Sequence, residues 1–254
     1  GPNVLRLCRM ADVVFLGLHG EDGENGKVQA TFDLLGIRYT GTDYVSAALA
    51  MDKQLAKELF RVYGIPTPEG FLLKKGIPSE KRPQFPCVVK VCSGGSSVGV
   101  SIVEQETDYE KALKEAFRYG DEVVVERYIK GRELTCCVLD GVALPIVEIM
   151  PKEGFYDYKN KYQPGSTVEM CPAPLEEETT RLVQQISLQV FAALRLKQYA
   201  RMDFMLDEAG QPWCLEANTL PGMTPTSLIP QEAAAVGMDY DHLCQKILDM
   251  ALEK

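Results

Sequence analysis

No stretch of this sequence approaches the roughly 20 consecutive apolar residues that a membrane-spanning helix needs, and no secretory signal is visible. No basic stripe or cluster appears, and a net charge of −9 argues against a nucleic-acid partner. Eight cysteines (Cys8, Cys87, Cys92, Cys136, Cys137, Cys171, Cys214 and Cys244) include no C-x-x-C pair and no zinc spacing. They sit mostly in apolar patterns, as buried reduced thiols of a cytoplasmic protein do. Internal repeats and low-complexity tracts are absent as well. What remains is ordinary for a soluble globular protein: 254 residues, 46% hydrophobic and 25% charged, enough for a sizeable core. Gly1-Pro2 reads as a cleavage scar and is left out of the fold argument.

The chain opens with an apolar run, Ala11 to Leu18, expected as a buried strand leading into the glycine-rich turn Gly20, Gly23, Gly26. Val28, Phe32 and Leu35 then recur at helical spacing and Gly36 closes the helix. A single helix is expected from Ser46 to Tyr63. Strands follow at Glu69 to Leu73, Cys87 to Val91 and Val100 to Val103, then a helix capped by Thr107. Three more strands are expected at Glu122 to Arg127, Glu133 to Leu139 and Val142 to Ile149. Pro151 to Gly165 is polar, aromatic and without period, a long loop of the kind that is often functional. Helices from Glu176 to Lys197 and from Tyr240 to Ala251 bracket a hairpin between them.

That hairpin carries the strongest chemistry. Arg201-Met202-Asp203-Phe204-Met205-Leu206 and Trp213-Cys214-Leu215-Glu216-Ala217-Asn218 read as two strands joined by the turn Asp207 to Pro212. Arg201 and Asp203 are two apart, as are Glu216 and Asn218, so each pair shares one side of an extended backbone. Asp203, Glu216 and Asn218 are hard oxygen donors of the type Mg²⁺ accepts, and Arg201 is a fixed cation. An edge hairpin with a solvated polar face is the alternative that these residues leave open.

Three further stretches carry weaker signals. Gly94-Gly95-Ser96-Ser97-Val98-Gly99 has the composition of a phosphate loop but not the Walker form, and a plain Gly/Ser turn fits it too. Lys90 lies in the apolar strand Cys87 to Val91, costly to bury unless an anion receives it; a snorkelling lysine on an edge strand is the alternative. Glu126 and Glu133, ending one strand and opening the next, suit the amino and hydroxyl hydrogens of a nucleoside, with the backbone near Ile129 meeting the base. A charged turn would look the same.

In this order the pieces resemble the ATP-grasp superfamily, and within it the D-alanine–D-alanine ligases. The resemblance rests on His19-Gly20, Glu24-Asn25-Gly26, Tyr39-Thr40-Gly41, Met51-Asp52-Lys53, Val88-Val89-Lys90, Gly95 to Gly99, Glu126 to Glu133, Tyr156-Asp157-Tyr158, Lys161-Tyr162, Cys171-Pro172-Ala173, Arg201-Met202-Asp203 and Glu216 to Thr224 with Ser227-Leu228. It covers the chain from about Ala11 to Leu252. It implies an α/β (α+β) ATP-grasp fold in three parts: a partial Rossmann-like N-terminal domain (1–43), a central lid subdomain (44–125) and a C-terminal subdomain (126–254) with a substrate loop at 152–165.

The resemblance also implies roles. Lys53 and Lys90 would hold the ATP phosphates, Glu126, Ile129 and Glu133 the adenosine, and Ser97 and Lys161 would also bind ATP. Asp203, Glu216 and Asn218 would bind two Mg²⁺ ions, with Mn²⁺ as a substitute. Arg201 and the backbone of Gly222 would stabilise an oxyanion, Ser227 and Leu228 would hold the carboxylate of the second D-alanine, and His19 would lie beside it. A core histidine is the other reading of His19. Tyr162 would close over the site onto Ser96, and a tyrosine there favours the dipeptide over D-alanyl-D-lactate. The implied protein is a cytoplasmic homodimer that ligates D-alanine for peptidoglycan synthesis. Relatives begin with a segment whose glutamate binds the first D-alanine, and no such segment stands before Ala11. A nucleotide-binding module without ligase turnover, or a different ATP-grasp carboxylate–amine ligase, are therefore the alternatives.

Overall fold

The computed structural model describes residues 3–95, 98–152 and 166–253, and two antiparallel sheets dominate it. The smaller is formed by β1 (Gly70–Lys74), β2 (Cys87–Val91), β3 (Ser101–Val103) and β4 (Glu122–Arg127), in the order β1-β4-β2-β3. The larger contains β5 (Gly131–Leu139), β6 (Val142–Ala143), β7 (Val147–Pro151), β8 (Thr167–Met170), β9 (Tyr199–Asp207) and β10 (Pro212–Asn218), in the order β10-β9-β5-β7-β8 with β6 paired to β5.

Each sheet is covered by helices, numbered here along the chain. The first five are α1 (Val4–Cys8), α2 (Glu21–Glu24), α3 (Lys27–Leu35), α4 (Tyr44–Met51) and α5 (Lys53–Val62). The rest are α6 (Glu106–Ala116), α7 (Glu177–Ala193), α8 (Leu228–Ala235) and α9 (Tyr240–Leu252). On the small sheet, Val89, Val103, Val123 and Val125 pack against Tyr109, Ala112 and Ala116 of α6. On the large sheet, Cys136, Val138, Met202 and Phe204 meet Val183, Ile186 and Val190 of α7, together with Phe60 of α5. The opposite face carries Cys137, Leu139 and Tyr199 against α8 and α9, and beyond them it is left to the site. The twofold period of β9 shows the division: Ala200, Met202, Phe204 and Leu206 go to the core, while Arg201, Asp203 and Met205 turn to the cavities.

Several elements differ from the sequence expectation. Ala11 to Leu18 makes one parallel bridge, Val14 to Tyr39, and of its residues Leu16 alone is buried; one bridge gives the run too few backbone partners to be a strand. The helix expected from Ser46 to Tyr63 breaks in two at Asp52. Its backbone is extended there, and its carboxylate accepts the Leu55 N–H as the N-cap of α5, so the side chain replaces the bond that a continuous helix would make. Helix α6 starts at Glu106 with Gln105 at its N-cap, ahead of Thr107. The strand at Val142 to Ile149 splits into β6 and β7. Helices α1 and α8 and strand β8 were not expected; Pro230, in the first turn of α8, is tolerated because N–H groups there have no helical partner anyway.

Candidate functional site

The hairpin of β9 and β10 places its polar residues in register. Glu216 stands opposite Asp203 and Asn218 opposite Arg201, because the ladder shifts by one residue between Cys214 and Glu216. Cys214 and Ala217 both enter the core, a parity that an unbroken alternation forbids. The bulge at Leu215 therefore delivers Glu216 and Asn218 to the face that holds Arg201 and Asp203.

Arg201 grips Asp203 with two parallel bonds, Nε to Oδ1 at 2.9 Å and Nη2 to Oδ2 at 2.8 Å. The Thr135 hydroxyl donates to the same Oδ1 at 2.7 Å. Lys53, at the start of α5, reaches Glu216 Oε2 at 3.4 Å and donates to the Gly94 carbonyl at 2.7 Å. The Asn218 side-chain oxygen accepts the Leu220 N–H. Three oxygen donors on one face suit a hard divalent cation, which would share them with Arg201 and Lys53.

On the small sheet, Glu126 is buried between two lysines. Lys90 Nζ lies 2.6 Å from Oε1 and Lys57 Nζ 2.8 Å from Oε2. Burial opposes the charge on all three, but the mutual attraction holds Glu126 below the usual carboxylate range and Lys90 above the usual lysine value. Lys57, where burial wins, is pulled down to about 8.

Two cavities meet over these residues. The first, about 440 Å³, is lined by Lys53, Lys90, Glu126, Ile129, Glu133, Asp203 and Glu216, with apolar walls from Val88, Ile102, Ile149 and Met205. A flat apolar ring carrying anionic groups fits such a slot. The second, about 390 Å³, is lined by His19, Lys53, Arg201, Glu216, Asn218, Gly222, Ser227 and Leu228. Lys53, Gly94, Gly95 and Glu216 border both.

In the second cavity His19 Nδ1 is 3.0 Å from the Leu220 carbonyl, and Ser227 Oγ accepts the Thr224 N–H at 3.0 Å. A Cβ on Gly222 would come within 2.9 Å of Ser227 Oγ, so glycine keeps that wall open. The candidate residues Ser96, Ser97, Lys161 and Tyr162, and most of the loop at 152–165, lie outside the described residues.

Four residues in or behind the cavities were given no role from sequence, although Glu24 stands among the residues that carry the resemblance. Glu24 accepts the Gly20 N–H at 2.6 Å, and burial raises its carboxyl. Glu148 holds Arg132 with two bonds of 2.7 Å, and Glu169 accepts from Gln231. Lys57 carried a legible signal: Lys53, Ala56, Lys57 and Phe60 form the buried stripe of α5, so two lysines occupy apolar positions at i and i+4.

Two antiparallel sheets that close a nucleotide-shaped slot, with lysines from both sides of it, define an ATP-grasp protein. Comparison with known proteins makes this specific. The model described as D-ala D-ala ligase C-terminus matches residues 69–249, and that of the D-ala D-ala ligase N-terminus matches residues 2–42. The D-alanine–D-alanine ligase of Pediococcus pentosaceus is 44% identical over 251 residues, 98% of this chain and 71% of that protein. That of Syntrophotalea carbinolica is 45% identical over 238 residues, 93% of this chain and 78% of that protein. Among solved structures, the ATP complex of the Bacillus anthracis D-alanine–D-alanine ligase matches with a TM-score of 0.89 at 37% identity, covering 99% of this chain and 83% of that one. The chain belongs to the D-alanine–D-alanine ligase family.

Proposed function

We propose that this protein joins two D-alanines to D-alanyl-D-alanine at the expense of ATP, for peptidoglycan synthesis. The observation that carries the reading is the shared border of the two cavities. A nucleotide in the first would present its terminal phosphate at Lys53 and Glu216, where a small amino acid in the second could reach it.

In this reading Glu126, Glu133 and the backbone at Ile129 bind the adenosine, while Lys53 and Lys90 bind phosphates, and Ser97 and Lys161 also bind ATP. Asp203, Glu216 and Asn218 hold Mg²⁺, which supplies charge neutralisation at the phosphates. The carboxylate of the first D-alanine attacks the γ-phosphorus and ADP leaves. The amine of the second attacks the resulting acyl phosphate, loses a proton and expels inorganic phosphate. Arg201 and the Gly222 N–H stabilise the tetrahedral oxyanion. Ser227 and Leu228 receive the second carboxylate, His19 flanks it, and Tyr162 with Ser96 completes a closed site that excludes water. The three-part division at residues 43 and 125, a cytoplasmic homodimer and the preference for the dipeptide that Tyr162 implies belong to the same proposal. Among the described residues no helix is long and apolar enough to cross a membrane.

The test is phosphate release from Mg-ATP with and without D-alanine, with the dipeptide identified as product. D-alanine-dependent release that falls by about 100-fold or more in Glu216→Ala supports the reading. ATP binding without turnover would replace it with a nucleotide-binding module, and an unaffected Glu216→Ala rate would remove the metal assignment.

A further inference from the structure

Three lysines converge on two glutamates at the floor of the first cavity, and they are not equivalent. Lys53 and Lys90 face the cavity. Lys57 is 1% exposed and stands behind Glu126. Its ammonium has three acceptors around it: Glu126 Oε2 at 2.8 Å, Thr67 Oγ1 at 2.8 Å and the Pro68 carbonyl at 3.4 Å. An ion pair to Glu126 and hydrogen bonds to Thr67 and Pro68 hold the ammonium in place. Lys90 holds the other oxygen of Glu126 at 2.6 Å from the open side.

We propose that Lys57 is a positioning residue for the nucleotide: the permanent counter-ion that keeps Glu126 charged and oriented when Lys90 turns to a phosphate. The proposal rests on the reading of the first cavity as the ATP site. If Lys90 were the sole partner of Glu126, its departure would leave an unpaired carboxylate in a dry site, among the costliest single changes in a protein interior. With Lys57 in place the exchange leaves Glu126 paired. Each carboxylate oxygen has two acceptor sites, so Oε1, once Lys90 has left it, can accept from the amino group of the base. The buried stripe of α5 that carries Lys57 also carries Lys53, so one helix supplies both the fixed and the substrate-facing cation.

The test compares Lys57→Met, Lys57→Arg and Lys90→Met in steady-state kinetics, with urea unfolding alongside. Lys57→Met is expected to raise KM for ATP about tenfold while KM for D-alanine and kcat stay within about twofold, and Lys57→Arg is expected to restore KM. A merely structural lysine would lower stability without singling out ATP. If Lys57→Met does not fold, the wild type decides, because Lys57 is pulled down to about 8. The groups facing it are Glu126, Lys90, Thr67 and the Cys214 thiol. Glu126 is shifted down and Lys90 and Cys214 are shifted up, so none of these changes charge near pH 8. KM for ATP should therefore rise between pH 7 and 9 in the wild type and stay flat in Lys57→Arg. An unchanged KM in Lys57→Met, equal rises for both substrates, or a wild-type profile that matches Lys57→Arg would overturn the proposal. An unchanged KM for ATP in Lys90→Met would instead overturn the reading of the site itself.

Discussion

Glu126 and Glu232 are both buried glutamates in the same molecule, and their carboxyl groups are shifted in opposite directions. Glu126 has a lysine on each oxygen, and although burial opposes its charge the two ammonium groups hold its carboxyl below the usual value. Glu232, in α8, accepts the Cys137 N–H at 2.6 Å and has no partner on Oε1 among the described residues. Burial pushes its carboxyl well above the usual value. Its acceptor role explains why it is tolerated: between its pairings to β7 and to β6, β5 leaves the Cys137 N–H without a strand partner, and the carboxyl fills that gap. Both are buried; the partners decide the direction of the shift.

The comparison breaks most visibly at Glu126. Glu126→Ala leaves two buried ammonium groups facing each other, and urea unfolding should show a loss of about 3–5 kcal/mol, with ATP binding lost as well. At Glu232 the effect lies in the pH dependence. A carboxyl whose folded value is raised contributes stability that is fully present below the unfolded value of 4.5 and is lost as pH rises above it. Unfolding free energy in the wild type should therefore fall as pH rises above that value, with a slope of up to about 1.4 kcal/mol per pH unit from this group. Glu232→Gln should remove that component; a slope unchanged in the variant would mean that Glu232 is ionised. Asp203 extends the comparison to a carboxylate held by Arg201 and Thr135. Thr135→Val deletes one of these donors and should cost about 1 kcal/mol in unfolding, with a smaller change at the site than any loss of Arg201.

Much of this was legible in the sequence. The alternation in Arg201 to Leu206 named both the core face and the site face of β9, and each described candidate residue lines one of the two joined cavities. The missing parts share a cause: they depend on partners distant in sequence. Lys57 needs Glu126 and Thr67 to be intelligible. Glu232 answers a gap in a strand almost a hundred residues away. Asp52 breaks its helix because its backbone bridges to Ser93, next to β2. Local pattern exposes periodicity: it marks Lys57 as a buried position of α5 but names no partner for it, and neither Glu232 nor Asp52 is marked even that far.

The bulge on β10 has a consequence for how the hairpin tolerates changes in length. Leu215 is a spacer, one residue more than the ladder to β9 requires. Its deletion would bring Glu216 directly after Cys214, still opposite Asp203 and still turned toward the cavities. Deleting Ala217, one turn of the zigzag later, would rotate Asn218 into the space between the sheet and α7. The two apolar residues that flank Glu216 thus differ in kind: one is dispensable to the register, and the other keeps count for it.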